Sequence, residues 1–559
     1  MLKKIVNTGI YGKEPLFDVR EISTLREMFE TSTQIFSERI AFMQKYDNES
    51  PYKPITYTQY RSDVYAMGEY LCGEGLKDEK IALAGENCYE WAVSYMAIVG
   101  GTGTVVPLDK ELTFAEMKSL AEFAGCTAVL CTKAVLKRNP ELADLGIKLI
   151  CINDGFEEKT EAGRKLAAEG QRLFADAAVK PEDINIIIFT SGTSGTPKGV
   201  MLSHRNICSN IMNICSVFKI TKYDRVFSLL PLHHTYECTC GYLCEIYVGA
   251  SIAYCRGLRY IVKDMQESGP TMFFCVPMVL EGIYKTLNRT IEKTGKSGKI
   301  KKALMLSKAM KKIGVDIRRT LFKEIIDNFG GRLNMFLVGA APVKPETMQF
   351  FTDIGITTIQ GYGMTECSPL IAENRASHYR NDSVGMPLPE LELKIYKPDK
   401  NGVGEIIVKG ENVMCGYYKN PEETEKVLKD GWLHTGDMGY VKDGFVYLTG
   451  RLKNLIITSN GENIFPEEIE NILSASPYIS ECMVYQQDNV ITAQIYPDKE
   501  EIASALGEYT EAGAEKLLAD EIKKINGTNP PYKAVKKFII RKEEFVKTTT
   551  RKIKRYANM

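Results

Sequence analysis

Short apolar runs recur along the first two-thirds of the chain and alternate with stretches of helical period. Runs at 80–84, 104–108, 127–131 and 149–153 each flank a helix-like segment. The pattern repeats at 184–190, 226–230, 272–276, 335–339 and 357–361. Alternation of this kind predicts parallel sheets covered by helices. Ligands in such folds sit at the carboxyl ends of strands. Segment 91–108 holds no charge; Gly100, Gly101, Gly103 and Pro107 divide it into a buried helix, a glycine turn and a strand at 104–108. From 383 to 448 the pattern changes to short strands and turns, which predicts a small barrel-like subdomain. After Arg451 it becomes a compact α+β segment with a basic tail.

The chemistry gathers at the strand ends. Thr190-Ser191-Gly192-Thr193-Ser194-Gly195-Thr196-Pro197-Lys198-Gly199 follows the apolar run 184–189 and precedes a helix start at Ser203. Glycines let backbone N–H groups approach an anion, hydroxyls donate to phosphate oxygens, and a lysine neutralises charge. The run is not a P-loop, because Pro197-Lys198-Gly199 stands where Gly-Lys-Ser/Thr would place a hydroxyl on magnesium. A flexible Ser/Gly linker is the bland alternative. The turn Gly339-Ala340-Ala341-Pro342 and the motif Gly361-Tyr362-Gly363-Met364-Thr365-Glu366 start at two further strand ends. Convergence of all three on one crevice is the expectation. Downstream lie His434-Thr435-Gly436-Asp437, Gly450-Arg451-Leu452-Lys453 and Lys547-Thr548-Thr549-Thr550-Arg551-Lys552-Ile553.

Composition narrows the class only slightly. The 559 residues suffice for several domains, and a net charge of zero favours neither nucleic acid nor membrane as a global partner. Fifteen scattered cysteines without a CxxC pair, and an N-terminus poor in apolar residues, predict free thiols in a reducing compartment. Cys238, Cys240 and Cys244 do not share a helix face and predict no metal site. The segment 285–323 departs from the neutral average, with thirteen Lys or Arg against Glu292 and Asp316. Apolar Ile300, Ala303, Leu304, Leu306 and Ala309 make it read as a helical insertion with one apolar face. The simpler reading is a solvated helix packed on the core; the functional one is a surface for anionic lipid or for CoA phosphates.

These motifs, in this order from about Phe29 to the C-terminus, resemble the adenylate-forming superfamily, and the helical insertion resembles its long-chain fatty acyl-CoA synthetases. The resemblance implies an α/β fold. A large N-terminal domain, 1–450, would hold stacked, mostly parallel sheets and the β-barrel subdomain. A small mobile α+β domain, 451–559, would follow a hinge at Lys453. It implies attack of a carboxylate on the α-phosphate of ATP, then transfer of the acyl group to CoA, with Mg2+ as the metal. Glu366 would be the magnesium ligand, Thr365 an α-phosphate donor, and Tyr362 a stacking partner for adenine. Gly339, Ala340 and Ala341 would let adenine approach the backbone, beside Gly361 and Gly363. Asp437 would accept the ribose hydroxyls, with Arg451 as a second contact. His234 matches a histidine near the carboxylate pocket; a packed histidine is the alternative. Lys552 would bridge the attacking carboxylate and the α-phosphate; a basic surface tail is the alternative. The pattern is less well met at Ile457, where luciferase-like members carry a lysine, and at Asn460 before Gly461. A fatty acid and CoA are the implied substrates, with an acyl carrier protein as the alternative acceptor. A non-catalytic nucleotide or lipid binder is the alternative of another class. The expected location is cytoplasmic, with contact at the inner face of a membrane.

Overall fold

The computed structural model describes residues 2–3, 15–190, 197–339, 341, 343–457, 463–488, 490–547 and 552–559. Ser191 to Thr196, Ala340, Pro342, Asn460, Gly461 and Thr548 to Arg551 therefore lie outside the described residues. The chain forms two compact units, 1–393 with 408–433, and 394–407 with 434–559. The boundary read from the sequence, 450/451, falls inside the second of these.

The first unit is built on two mixed, mostly parallel sheets. One has seven strands in the order 416–417, 198–203, 184–190, 103–108, 79–84, 128–131, 148–151. The other has nine, in the order 386–387, 370–373, 357–363, 335–338, 272–275, 225–228, 251–254, 40–44, 53–56. Every apolar run expected as a strand is one. The uncharged segment resolves as helix Tyr89–Ala97, a π-helical turn Ile98–Thr102 and strand Gly103–Leu108.

One element was not expected. Lys198–Ser203 is a strand, paired antiparallel with Ile184–Thr190 from Lys198↔Thr190 onward. The Thr190 to Gly199 segment thus joins two strands of a hairpin rather than a strand directly to a helix. The helix start at Ser203 holds: its hydroxyl accepts from Asn206 N–H while Asn206 Oδ1 accepts from Ser203 N–H, a reciprocal cap.

That helix, His204–Val217, is buried along its length except at Arg205. Its polar residues are spent on backbone. Asn206 donates to the carbonyls of Glu411 and Val413, Asn210 to that of Leu370, and Asn213 accepts from Glu390 N–H. Buried loop backbone needs such partners, so this asparagine row fixes the loops around the 361–370 motif.

The basic insertion forms helices Pro277–Lys293 and Ser297–Lys312. Ile300, Ala303 and Leu304 pack on the core beneath the nine-stranded sheet, as expected. Leu306 and Ala309 do not; both are exposed. The buried stripe runs 300, 303, 304, 307, one helix face, and Leu306 falls off it.

The second unit has its own core, centred on Ile464, Leu473, Val484, Ile495 and Leu518. Strands Ile479–Gln487 and Val490–Pro497 pair antiparallel, and Lys537–Ile540 joins the second of them in parallel. Helices Pro466–Leu473 and Glu511–Thr528 complete an α+β arrangement.

Candidate active site

The structure draws Glu366 and Lys198 together through a residue that no motif had flagged. Strand Thr357–Gly363 runs into a tight turn, Thr365–Cys367. The chain folds straight back: Met364 N–H donates to the Pro369 carbonyl at 2.9 Å. Gly363 makes the fold-back feasible, because a Cβ there would lie 2.2 Å from that carbonyl oxygen. Asn412 clamps the turn by donating to the Cys367 and Leu370 carbonyls. Glu366 is buried, and Tyr417 Oη donates to its Oε1 at 2.9 Å. The Lys198 ammonium lies 5.0 Å from the centroid of the same Tyr417 ring and pairs with Glu423. Lys198, then Lys426, holds the Glu423 carboxyl down at about 2. Backbone pairing of Val200 with Tyr417 locks the arrangement.

Glu366 fits a magnesium ligand. It is a hard carboxylate with one oxygen engaged by Tyr417, and the described residues contain no group of three or more metal-ligating side chains. A cation held there would complete its shell with phosphate oxygens and water, the usual mode for magnesium. Tyr417→Phe is expected to lower carboxylate-dependent ATP–pyrophosphate exchange by about ten- to a hundredfold. A hydrogen bond to a charged group is worth about 1.5–3 kcal/mol. Raising magnesium should recover part of that loss; exchange unchanged at limiting magnesium would show that Tyr417 does not position the carboxylate.

Tyr362 is buried and Thr365 half-buried in the same turn. Gly361 faces Leu370, and Gly339 lies under the Tyr236 ring, where a Cβ would come within 3.0 Å of Tyr236 Cζ. Ala341 is exposed and Thr190 half-buried.

His234 is half-buried, and its ring centroid lies 4.1 Å from that of His233. His233 is deeply buried, 3.8 Å from Asp109; burial, then Lys110, pushes its imidazole down to about 3, so it is neutral. The loop is held by Asn87, which donates to the Leu230 carbonyl and Ser228 Oγ and accepts from Leu232 N–H. Neither Asn87 nor Tyr417 carries a sequence signal, since each acts through a contact remote along the chain.

A narrow pocket adjoins this turn. Phe218, Tyr236, Phe274, Leu337, Ile359 and Gly361 are among its lining.

The second unit holds the remaining candidates. Asp437 and Arg451 face each other across the antiparallel pair Trp432–Lys442 and Phe445–Arg451, with Arg451 Nε 2.7 Å from Asp437 Oδ1. Asp437 is buried and Arg451 half-exposed. The preceding turn is pinned by Glu405, which accepts from Gly436 N–H and bonds His434 Nδ1 at 2.7 Å. Thr435 Oγ1 donates to the Ile406 carbonyl. Lys453 is exposed in the short turn Leu452–Asn454 just after Arg451. Lys552 is exposed beside Ile553, which bridges to Lys547.

Residues 29–418 match the AMP-binding enzyme family. The chain belongs to that family. It is 30% identical over 531 residues to long-chain-fatty-acid–CoA ligase 5 of Rattus norvegicus, spanning 88% of this chain and 77% of that one. Long-chain-fatty-acid–CoA ligase 1 of Homo sapiens is 29% identical, over 88% of this chain and 76% of the other. Peroxisomal long chain acyl-CoA synthetase 7 of Arabidopsis thaliana is 30% identical, over 84% and 72%. Among solved structures, the anthranilate CoA ligase AuaEII in complex with anthranoyl-AMP superposes with a TM-score of 0.75 over 95% of this chain and 96% of its own, at 20% identity. O-succinylbenzoate coenzyme A synthetase of Bacillus subtilis, in complex with ATP and magnesium ion, gives 0.72 over 95% and 98%, at 22%. At these identities the structural likeness establishes the fold alone.

Proposed function

We propose that this chain is an AMP-forming acyl-CoA synthetase acting on long-chain fatty acids. It converts a fatty acid and ATP to acyl-adenylate and pyrophosphate, then transfers the acyl group to CoA with release of AMP. The observation that carries the reading is the Glu366–Tyr417–Lys198 arrangement: a buried carboxylate, suited to a magnesium ion, and a lysine ammonium, suited to phosphate, set on one tyrosine. The long-chain ligases among the relatives support the same substrate class.

Both half-reactions need charge neutralisation more than covalent help from the protein. Magnesium, when bound, withdraws charge from the phosphates. Glu366 would hold it, with Thr365 donating to the α-phosphate. Lys198 would exchange Glu423 for phosphate oxygens. Asp437 and Arg451 would take the ribose, Tyr362 and the Gly339 turn the adenine. Lys552 would shield the carboxylate from the α-phosphate during attack, and His234 would border the carboxylate pocket. A panel of carboxylic acids from acetate to oleate, with aryl acids, read as CoA-dependent AMP formation, tests the reading. Turnover rising with chain length supports it; turnover confined to acetate or aryl acids sinks the long-chain assignment. Transfer to a carrier protein but not to CoA would instead make the chain a fatty acyl-AMP ligase.

Membrane contact is part of the proposal, at the inner face of a cytoplasmic membrane. No described helix is long and apolar enough to cross a bilayer. The insertion nevertheless exposes Met305, Leu306 and Ile313, at 65%, 50% and 71%, among exposed Lys299, Lys301, Lys302 and Lys312. Apolar side chains interleaved with lysines suit an anionic lipid surface, each basic residue adding about 1 kcal/mol that salt weakens. Binding to anionic vesicles should fall on charge reversal at Lys299, Lys301 and Lys302. Equal flotation of wild type and triple variant at low salt would leave these lysines as merely solvated.

A further inference from the structure

The narrow pocket beside the 361–366 motif holds a carboxyl group, for which a plain hydrocarbon tail has no use. Its lining is almost wholly aliphatic and aromatic, yet it includes Glu373. Strand Leu370–Glu373 pairs antiparallel with Thr357–Gly363 in the register Gly361↔Glu373, which fixes this residue directly beside the start of the motif. The side chain is buried, and Oε2 has no hydrogen-bond partner among the described residues. Arg375, its charged neighbour, is committed elsewhere: its guanidinium donates to the backbone carbonyls of Glu373 and Pro387. Burial pushes the Glu373 carboxyl up to about 7 against the opposing pull of Arg375.

An unpaired carboxyl oxygen in an apolar wall is costly, and native proteins retain few of them. A residue serving only to pack this wall would be apolar. The rest of the lining is the kind of apolar wall that a fatty-acid tail would pack against.

We propose that Glu373 is a specificity residue of the acyl pocket, accepting a hydrogen bond from a hydroxyl or amino group carried on the tail of the fatty acid. This rests on the acyl-CoA synthetase reading above. A pocket that must pair a buried acceptor discriminates by far more than an apolar one, in which a methylene is worth only about 10–200-fold.

The test measures kcat/KM for CoA-dependent AMP formation with matched acids of equal length. One of each pair is a plain alkanoic acid; its partner bears a hydroxyl or an amino group at successive carbons. The wild type should prefer a donor-bearing acid by well over about 200-fold at one position, approaching about ten-thousandfold. Glu373→Gln, which keeps an acceptor oxygen, should retain a preference, and Glu373→Leu should favour the plain acid. A wild-type ratio near one at every position overturns the inference without recourse to any variant. A preference that survives in a folded Glu373→Leu variant overturns it too. The two levels separate cleanly: AMP released from every acid with a flat ratio removes only the role of Glu373. AMP released from none removes the synthetase reading and the inference with it.

Discussion

Lys552→Ala is expected to lower adenylate formation by about a hundredfold or more, while the reaction of pre-made acyl-AMP with CoA is largely spared. Removing one well-placed charge from a phosphoryl-transfer site costs on that order. The tail is basic throughout, so the claim for one lysine depends on what its neighbours do. Lys547 is paired with Glu481 and Glu544, and Arg555 with Glu470. Those two cations hold the tail to the second unit, and the bridge between Lys547 and Ile553 closes the segment. Lys552 lies between the two anchors and is exposed. ATP–pyrophosphate exchange and single-turnover thioester formation measure the two halves separately. Equal loss in both would show that the lysine maintains the tail rather than the adenylation step.

Lys453→Pro should give the opposite split, with adenylation intact and thioester formation reduced about tenfold or more. The two half-reactions call for different placements of the catalytic groups. Proline fixes φ at the position proposed to absorb the change. Lys453 is exposed and lies in a three-residue turn, so the substitution leaves the core of the second unit untouched. ATP affinity should hardly change. A Lys453→Pro variant competent in both half-reactions would place the hinge elsewhere.

Most of the parallel strands were legible in the sequence because they are short, largely buried apolar runs bounded by turn residues. The helix cap at Ser203 was legible for a similarly local reason. Strand Lys198–Ser203 was not, since its pairing with Ile184–Thr190 and with Gly416–Tyr417 is tertiary. The insertion was read correctly as helical, but Leu306 and Ala309 were assigned to the core when the period places them outside it. At the site, motif residues such as Glu366, Asp437 and Arg451 were visible one by one. What joins them was not. Tyr417 lies 51 positions from Glu366 along the chain, in a strand of two residues, and nothing local marks its hydroxyl as a partner. Glu373 ends an apolar run in which a carboxylate would ordinarily signal a surface, and only burial gives it meaning.

The most direct test of the central claim follows oxygen. A fatty acid labelled with oxygen-18 in its carboxylate is turned over with ATP and CoA, and the products are weighed. Attack of the carboxylate on the α-phosphate forms a new O–P bond and expels pyrophosphate. Attack of the thiol on the acyl carbon then breaks the C–O bond and leaves the carboxylate oxygen on AMP. One labelled oxygen in AMP, with none in pyrophosphate, is the expected result. Label in inorganic phosphate with release of ADP, or acyl-CoA formed without labelled AMP, would contradict an adenylate route.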